Sequence, residues 1–180
     1  YSQTGVSESE KASIIKDIEK WRNYALDYTE KSIDINSAGY SNWETRAQVY
    51  IGLVGMGFKN YTPDAVYALQ RAIELNPLNY NLYYNEAQVD IINGDKDAAL
   101  LALTKVLSIN AQHIPSIMLA ANINKENGNT AVYESYLKAA KKILENNGQT
   151  STDIYKQITE KLTEFASKDT EDVKNSTTQK

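Results

Sequence analysis

The sequence has no cysteine and only one histidine, His113. Without cysteine the fold contains no disulfide, no thiolate nucleophile and no thiolate metal ligand, and a lone histidine cannot build a zinc site. The glycines at positions 52, 55 and 57 lack the Gly-Lys-Ser/Thr ending of a phosphate-binding loop. We therefore expect no catalytic residue, no cofactor and no metal, and we predict that the protein is not an enzyme.

Basic clusters and long apolar runs are also missing. The 180 residues carry a net charge of −4 with both signs interspersed, so nucleic acid is not an expected partner. No apolar run approaches the roughly 20 residues that a membrane span requires. The chain begins with Tyr1 rather than Met, which predicts a mature or excised piece of a parent that could be anchored in a membrane. Glycosylation patterns occur at Asn60 and Asn175, and their use stays open.

Residues of the same class recur at steps of 34 along the middle of the chain. The series are Ala65, Ala99 and Tyr133; Leu69, Leu103 and Leu137; Ala72, Val106 and Ala140; and Leu75, Ile109 and Ile143. This period is typical of arrays of paired helices. Such arrays bury a core by stacking their repeats, and they offer extended surfaces for binding.

Asparagine, proline and glycine punctuate the repeats. The segment Asn76-Pro77-Leu78-Asn79 ends one helix and begins the next, and Gly94 and Gly128 are suited to left-handed helix caps. Between these breaks the apolar residues follow helical spacing. The predicted helices are 8–36, 41–58, 62–75, 80–92, 95–109, 114–127, 130–146 and 151–167.

These elements predict an all-α fold, a right-handed α-solenoid of antiparallel helix pairs. It has about three clear repeats, a degenerate N-terminal repeat and a C-terminal capping helix. The predicted organisation is a flexible N-terminus at 1–7, the solenoid at 8–167 and a disordered polar tail at 168–180, where Val173 is the one apolar side chain.

The first repeat matches the second at an offset of 40 rather than 34, since Ala25, Ile33 and Ile35 correspond to Ala65, Ile73 and Leu75. The six extra residues lie in or after the second helix, around residues 51–60, where three glycines weaken a helix. One explanation is an elongated helix that ends in a loose turn. The other is close helix packing or a partner site at the glycines.

The chain resembles a tetratricopeptide repeat protein over about residues 20–147. The matching positions are Trp43, Ala47, Tyr50, Ala65, Leu69, Ala72 and Pro77 in one repeat, Tyr83, Ala87, Gly94, Ala99 and Leu103 in the next, and Ala121, Gly128, Leu137 and Ala140 in the third. Asp90 and Asn124 replace the tyrosine of the first helix, and Tyr133 replaces a small residue, which predicts local repacking. The resemblance implies a non-enzymatic scaffold for protein–protein interactions.

A narrower resemblance is carried by residues 42–50, NWETRAQVY, together with residues 68–77, ALQRAIELNP. These segments are similar to the soluble repeat region of bacterial O-antigen ligase-like and polymerase-like membrane proteins. That resemblance implies an extracytoplasmic location, periplasmic or extracellular, beside an enzyme that attaches or polymerises glycans.

The helical register places one set of first-helix residues on the concave side of the predicted solenoid. This concave-groove set is Glu44, Gln48, Asn81, Tyr84, Gln88, Met118, Asn122 and Lys125. Gln48, Gln88 and Asn122 would form an amide ladder that binds an extended peptide. Chaperone-binding members of the family clamp a C-terminal carboxylate with Lys and Asn, but Glu44 and Tyr84 stand where basic residues are needed, so we expect no such clamp.

Two functions of different classes follow. The first is an interaction module that binds a protein or peptide in the groove. The second is a structural protein whose solenoids stack head to tail into a filament, with other copies of itself as partners. The last helix separates the two, because its apolar face either packs within the chain or reaches another copy. That face consists of Ile154, Ile158, Leu162 and Phe165.

Overall fold

The computed structural model describes residues 7–177, with side chains to residue 167. In these residues there are eight α-helices and one 3₁₀ turn, Lys59–Tyr61, and no strand. The helices are α1 Glu8–Ile35, α2 Tyr40–Gly55, α3 Thr62–Leu75, α4 Tyr80–Asn93, α5 Lys96–Ile109, α6 Ile114–Glu126, α7 Thr130–Asn146 and α8 Asp153–Thr177. They divide into two compact units, one ending at Asp95 and one beginning at Lys96.

The helix ends are set by capping residues, and those at Asn79, Gly94 and Gly128 were expected from the sequence. Ser7 and Glu10 form a capping box that starts α1. Asn79 caps α4, since its side chain accepts a hydrogen bond from the Asn81 amide. Gly94 and Gly128 follow α4 and α6 with φ of +81° and +76°, a left-handed conformation that favours glycine.

The first unit is built around small residues where its helices meet. Ala47 of α2 and Ala65, Ala68 and Ala72 of α3 are fully buried, which lets these two helices approach closely. Leu69 fills the space between them. Above this core, the Trp43 indole donates a 2.8 Å hydrogen bond to Ser37 O, and the turn between α1 and α2 is thereby held in place.

The second unit has its own core on α6, α7 and α8. Ile117 and Ala121 of α6 contact a row of side chains on α7, and Ile158 of α8 completes the cluster. The α7 row is Tyr133, Leu137, Ala140 and Leu144. Asn124 is accommodated locally, because its buried side chain donates to Ala120 O at 2.9 Å and accepts from Asn129 Nδ2 at 3.3 Å.

The second helix is shorter than the sequence suggested. We expected it to reach residue 58, but α2 ends at Gly55, and Gly57 then takes a φ of +99° before the 3₁₀ turn. A Cβ added at Gly52 or Gly55 would meet no atom within 4 Å, so these glycines are not required for close helix packing. The extra residues of the first repeat therefore form mainly the connection between α2 and α3.

The last helix is longer than expected. The sequence predicted an end at residue 167 followed by a disordered polar tail over 168–180, but the backbone of α8 stays helical to Thr177. No glycine or proline follows Gly148 to stop the helix, and polar composition alone does not end one. Of the predicted flexible N-terminus at 1–7, residues 1–6 lie outside the described residues.

Candidate functional site

In the first unit, α2 and α4 present equivalent polar positions. Ala47 and Ala87 are both fully buried, and the residue after each, Gln48 or Gln88, lies on the outer side of its helix. Gln48 is exposed and Gln88 is half-buried. Neither side-chain amide has a hydrogen bond among the described residues, and α2 and α4 are in contact, so the two amides remain available on neighbouring helices.

Three further residues of the concave-groove set lie on the same two helices. Asn81 is exposed at the start of α4, and Glu44 and Tyr84 are half-buried. Tyr84 already has an interaction within the protein. Glu44 forms no ion pair in the described part of the chain.

The sequence did not single out Glu86 on α4. Burial raises the pKa of its carboxyl group, and the negative charge of Asp90 raises it further. Burial likewise raises the pKa of Asp90, with a smaller contribution from Asp95. These acidic groups are four and five residues apart, so they repel one another along one end of α4. The spacing of these acidic residues can be read from the sequence, but their burial cannot.

In the second unit, the concave-groove set divides into core and surface residues. Met118 packs against the core cluster and is half-buried, whereas Asn122 and Lys125 are exposed on α6. The Lys125 ammonium lies 5.7 Å from the centre of the Tyr133 ring, within cation–π distance. Asn122 and Lys125 therefore remain candidates for binding, and Met118 has mainly a packing role.

Lys125 lines a cavity of about 290 Å³ between α6, α7 and α8. The other lining residues are Thr130, Tyr133, Lys161, Glu164 and Phe165. Sequence reasoning missed Lys161 and Glu164, because α8 lies outside the clear repeats and has no periodic partner. Tyr133, which stands in series with Ala65 and Ala99, was the one sequence signal near this cavity.

The apolar face of the last helix packs within the chain. Ile158 is fully buried in the cluster of the second unit, and Ile154, Leu162 and Phe165 are half-buried against it. The Tyr155 hydroxyl also donates a 2.9 Å hydrogen bond to Glu145 Oε1 of α7. This face therefore packs on α7 within the chain, and its use as a contact between copies stays a prediction.

His113 has a local role at the start of α6. Its Nδ1 lies 2.8 Å from the hydroxyl of the buried Ser116, and burial lowers the pKa of the imidazole. Within residues 7–177 no three His, Cys, Asp or Glu side chains are grouped so as to hold a metal ion. No helix in that range is long and apolar enough to cross a membrane.

No protein-family model and no curated protein matches the sequence. Among solved structures, the chain is similar to the Yersinia enterocolitica type III secretion translocator chaperone SycD, with a TM-score of 0.58 and 15% identity over 72% of this chain and 94% of SycD. Two MamA structures match at TM-scores of 0.47 and 0.45, with 20% and 22% identity, over 82% and 79% of this chain and 98% and 82% of theirs. The likeness to SycD concerns the fold alone, and it confirms the all-α, tetratricopeptide-like helical-repeat class.

Proposed function

We propose that this protein is a non-enzymatic interaction module that binds an extended peptide segment of a partner protein along the first helices of its repeats. The supporting observation is the pair of amides at Gln48 and Gln88. They stand at equivalent positions on neighbouring helices, and neither is used by a hydrogen bond in the described residues. A side-chain amide donates and accepts, so it can pair with the backbone of a peptide of any sequence.

The remaining exposed positions of the concave-groove set are part of the same proposal. Asn81 would add hydrogen bonds on α4 of the first unit, and Asn122 and Lys125 would supply an amide and a positive charge on α6 of the second unit. Tyr84 would supply aromatic contact area, which is common in binding surfaces. The three-amide ladder of Gln48, Gln88 and Asn122 remains a prediction.

The proposal can be tested by selecting random linear peptides, displayed on phage, against the immobilised full chain. We expect enrichment of peptides whose binding falls in the double variant Gln48→Ala/Gln88→Ala. A matched control is Gln70→Ala/Gln149→Ala, which removes two exposed amides elsewhere. Failure to enrich any peptide, or equal binding by both double variants, would contradict a peptide-binding role for α2 and α4.

The second candidate function is self-assembly, and its support now comes from α1 rather than α8. The first half of α1 exposes Ile14, Ile15, Ile18 and Trp21, with exposed fractions of 50%, 58%, 40% and 65%. Light scattering after size exclusion over a range of concentrations separates the two functions. A constant monomer mass favours the interaction module, whereas growth that Ile18→Lys abolishes would favour assembly.

The narrower proposal is that the chain serves an envelope glycan ligase or polymerase outside the cytoplasm. It rests only on the resemblance carried by residues 42–50 and 68–77, and the structural likeness to SycD does not extend to it. Fractionation of the native host tests the location. Recovery of the protein with the cytoplasmic fraction would overturn this part of the proposal and leave the peptide-binding part intact.

A further inference from the structure

The cavity between α6, α7 and α8 has an aromatic floor. Tyr133 is only 4% exposed. Its ring contacts Phe165 edge to face at a centroid distance of 5.7 Å and an angle of 68°. Both rings are held by the packing of α8 on α7. The floor offers apolar surface to the methylene groups of an inserted side chain.

Two ammonium groups from different helices stand at this cavity. Lys125 extends from α6 over the Tyr133 ring, and Lys161 extends from α8. Neither has a carboxylate within ion-pair distance in the described part of the chain. Four other lysines of the second unit do have such partners: Lys96 with Glu126, Lys138 with Glu134, Lys141 with Glu145 and Lys156 with Asp153.

The other lining residues and the cavity volume determine which ligand charge and size the cavity accepts. Glu164 is the one acidic side chain among the lining residues, so two ammonium groups leave a positive balance. Thr130 adds a hydroxyl donor at the start of α7, a helix with no acidic residue in its first turn. The volume of about 290 Å³ lies just below the range for small-molecule pockets, about 300–1,000 Å³, so it suits one side chain better than a nucleotide.

We propose that this cavity binds the side-chain carboxylate of an acidic residue in the extended peptide, which makes the second unit selective for acidic partners. This inference rests on the proposed function, because the peptide would run along α6 past Asn122 before it reaches Lys125. The carboxylate lies between the Lys125 and Lys161 ammonium groups and accepts from the Thr130 hydroxyl. The site differs from the family's C-terminal clamp positions, where Glu44 and Tyr84 stand in this chain.

The test compares peptides selected by the wild-type chain with those selected by Lys125→Gln/Lys161→Gln. The control variant is Lys105→Gln/Lys142→Gln, which removes the same charge at two exposed lysines outside the cavity. Peptides are fused to the phage coat protein through their C-termini, so enrichment reports side-chain carboxylates. We expect Asp or Glu at a fixed position in the wild-type and control selections, and loss of that preference in K125Q/K161Q.

Synthetic versions of a selected peptide give the affinities by fluorescence anisotropy. Replacing its acidic residue by the amide, or using K125Q/K161Q, should each weaken binding about tenfold, and the two changes together should add little more, since they remove the same charge-assisted contact. Added salt should weaken the wild-type complex more than the double-variant complex. Peptides with a free and an amidated C-terminus should bind equally.

The outcomes separate this inference from the proposed function. Selected peptides without a preference for acidic residues, which bind K125Q/K161Q as well as wild type, would overturn the cavity proposal. The peptide-binding role of Gln48 and Gln88 would still stand. Binding that depends on a free C-terminus would overturn the side-chain assignment. No enrichment by any version of the chain would overturn both proposals.

Discussion

Trp43 and Tyr83 perform the same structural task, because each donates a hydrogen bond to the carbonyl oxygen six residues before it. The distances are 2.8 Å from Trp43 Nε1 to Ser37 O and 3.0 Å from the Tyr83 hydroxyl to Pro77 O. The two residues also occupy equivalent repeat positions. An aromatic donor at the start of a first helix therefore closes the turn that leads into it, and this bond orients α2 and α4 in the first unit.

Substitution Tyr83→Phe should destabilise the protein by about 1 kcal/mol, since it removes one hydrogen bond and keeps the packed ring. Urea unfolding followed by circular dichroism measures the change. The control is Tyr28→Phe, at a tyrosine that is 62% exposed on α1, which should alter stability by much less. Equal effects of the two substitutions would contradict the role assigned to the turn bond.

Substitution Ile158→Ala should destabilise the second unit by about 2–5 kcal/mol, because it leaves a cavity where α8 covers α7. Hydrogen exchange followed by mass spectrometry should show faster exchange in α7 as well as in α8. The control is Leu101→Ala, at a leucine that is 75% exposed on α5. If Ile158→Ala leaves α7 protected, α8 does not serve as its cap.

Substitution Glu86→Gln should stabilise the protein at pH 7 by removing a charge that is costly in its half-buried position. The folded-state pKa of Glu86 is raised above its ordinary value near 4.5. The folded state therefore binds a proton more readily than the unfolded chain, and this contribution to stability is complete below pH 4.5 and lost as pH rises through the folded pKa.

The gain from Glu86→Gln should consequently shrink as pH falls from 7 toward 4. Urea unfolding at several pH values gives the comparison, and Glu19→Gln on exposed α1 controls for the loss of one surface charge. A gain that grows toward acidic pH would mean that the sign of the effect is wrong.

The glycines should respond to alanine in opposite directions. Gly52→Ala should stabilise α2 by about 0.5–1 kcal/mol, because the position is helical and an added Cβ meets nothing within 4 Å. Gly94→Ala should destabilise by roughly 1–2 kcal/mol, because the residue has a φ of +81°. Thermal unfolding of both variants checks this, and a loss of stability in Gly52→Ala would revive a packing role for the glycine.

The regular part of the fold could be predicted from the sequence because local signals set its boundaries. Asn79, Gly94 and Gly128 mark the helix ends, and α3 was predicted with the bounds that it has. The ends of α2 and α8 were harder to predict. Gly55 ends α2 within a glycine-rich stretch that the pattern continued to 58, and α8 has no stop signal after its last apolar residue.

The candidate site was predictable only where the repeat register applies. Gln48, Gln88 and Asn122 follow buried alanines, so their outward position could be derived. Met118 could not be separated from them, because its half-burial depends on contacts with the core cluster. The cavity at Lys125 also depends on Lys161 of α8. It could not be predicted, because the packing of α8 against α7 is tertiary structure that the sequence repeat does not specify.

The most direct test of the account is nuclear magnetic resonance of the ¹⁵N-labelled full chain as a selected peptide is added. The side-chain amide signals of Gln48 and Gln88 should shift together with saturation, while that of Gln70 on α3 should not. That result would establish a peptide surface on the first helices. Shifts confined to α1, or unchanged signals at Gln48 and Gln88 while the peptide is bound, would contradict it.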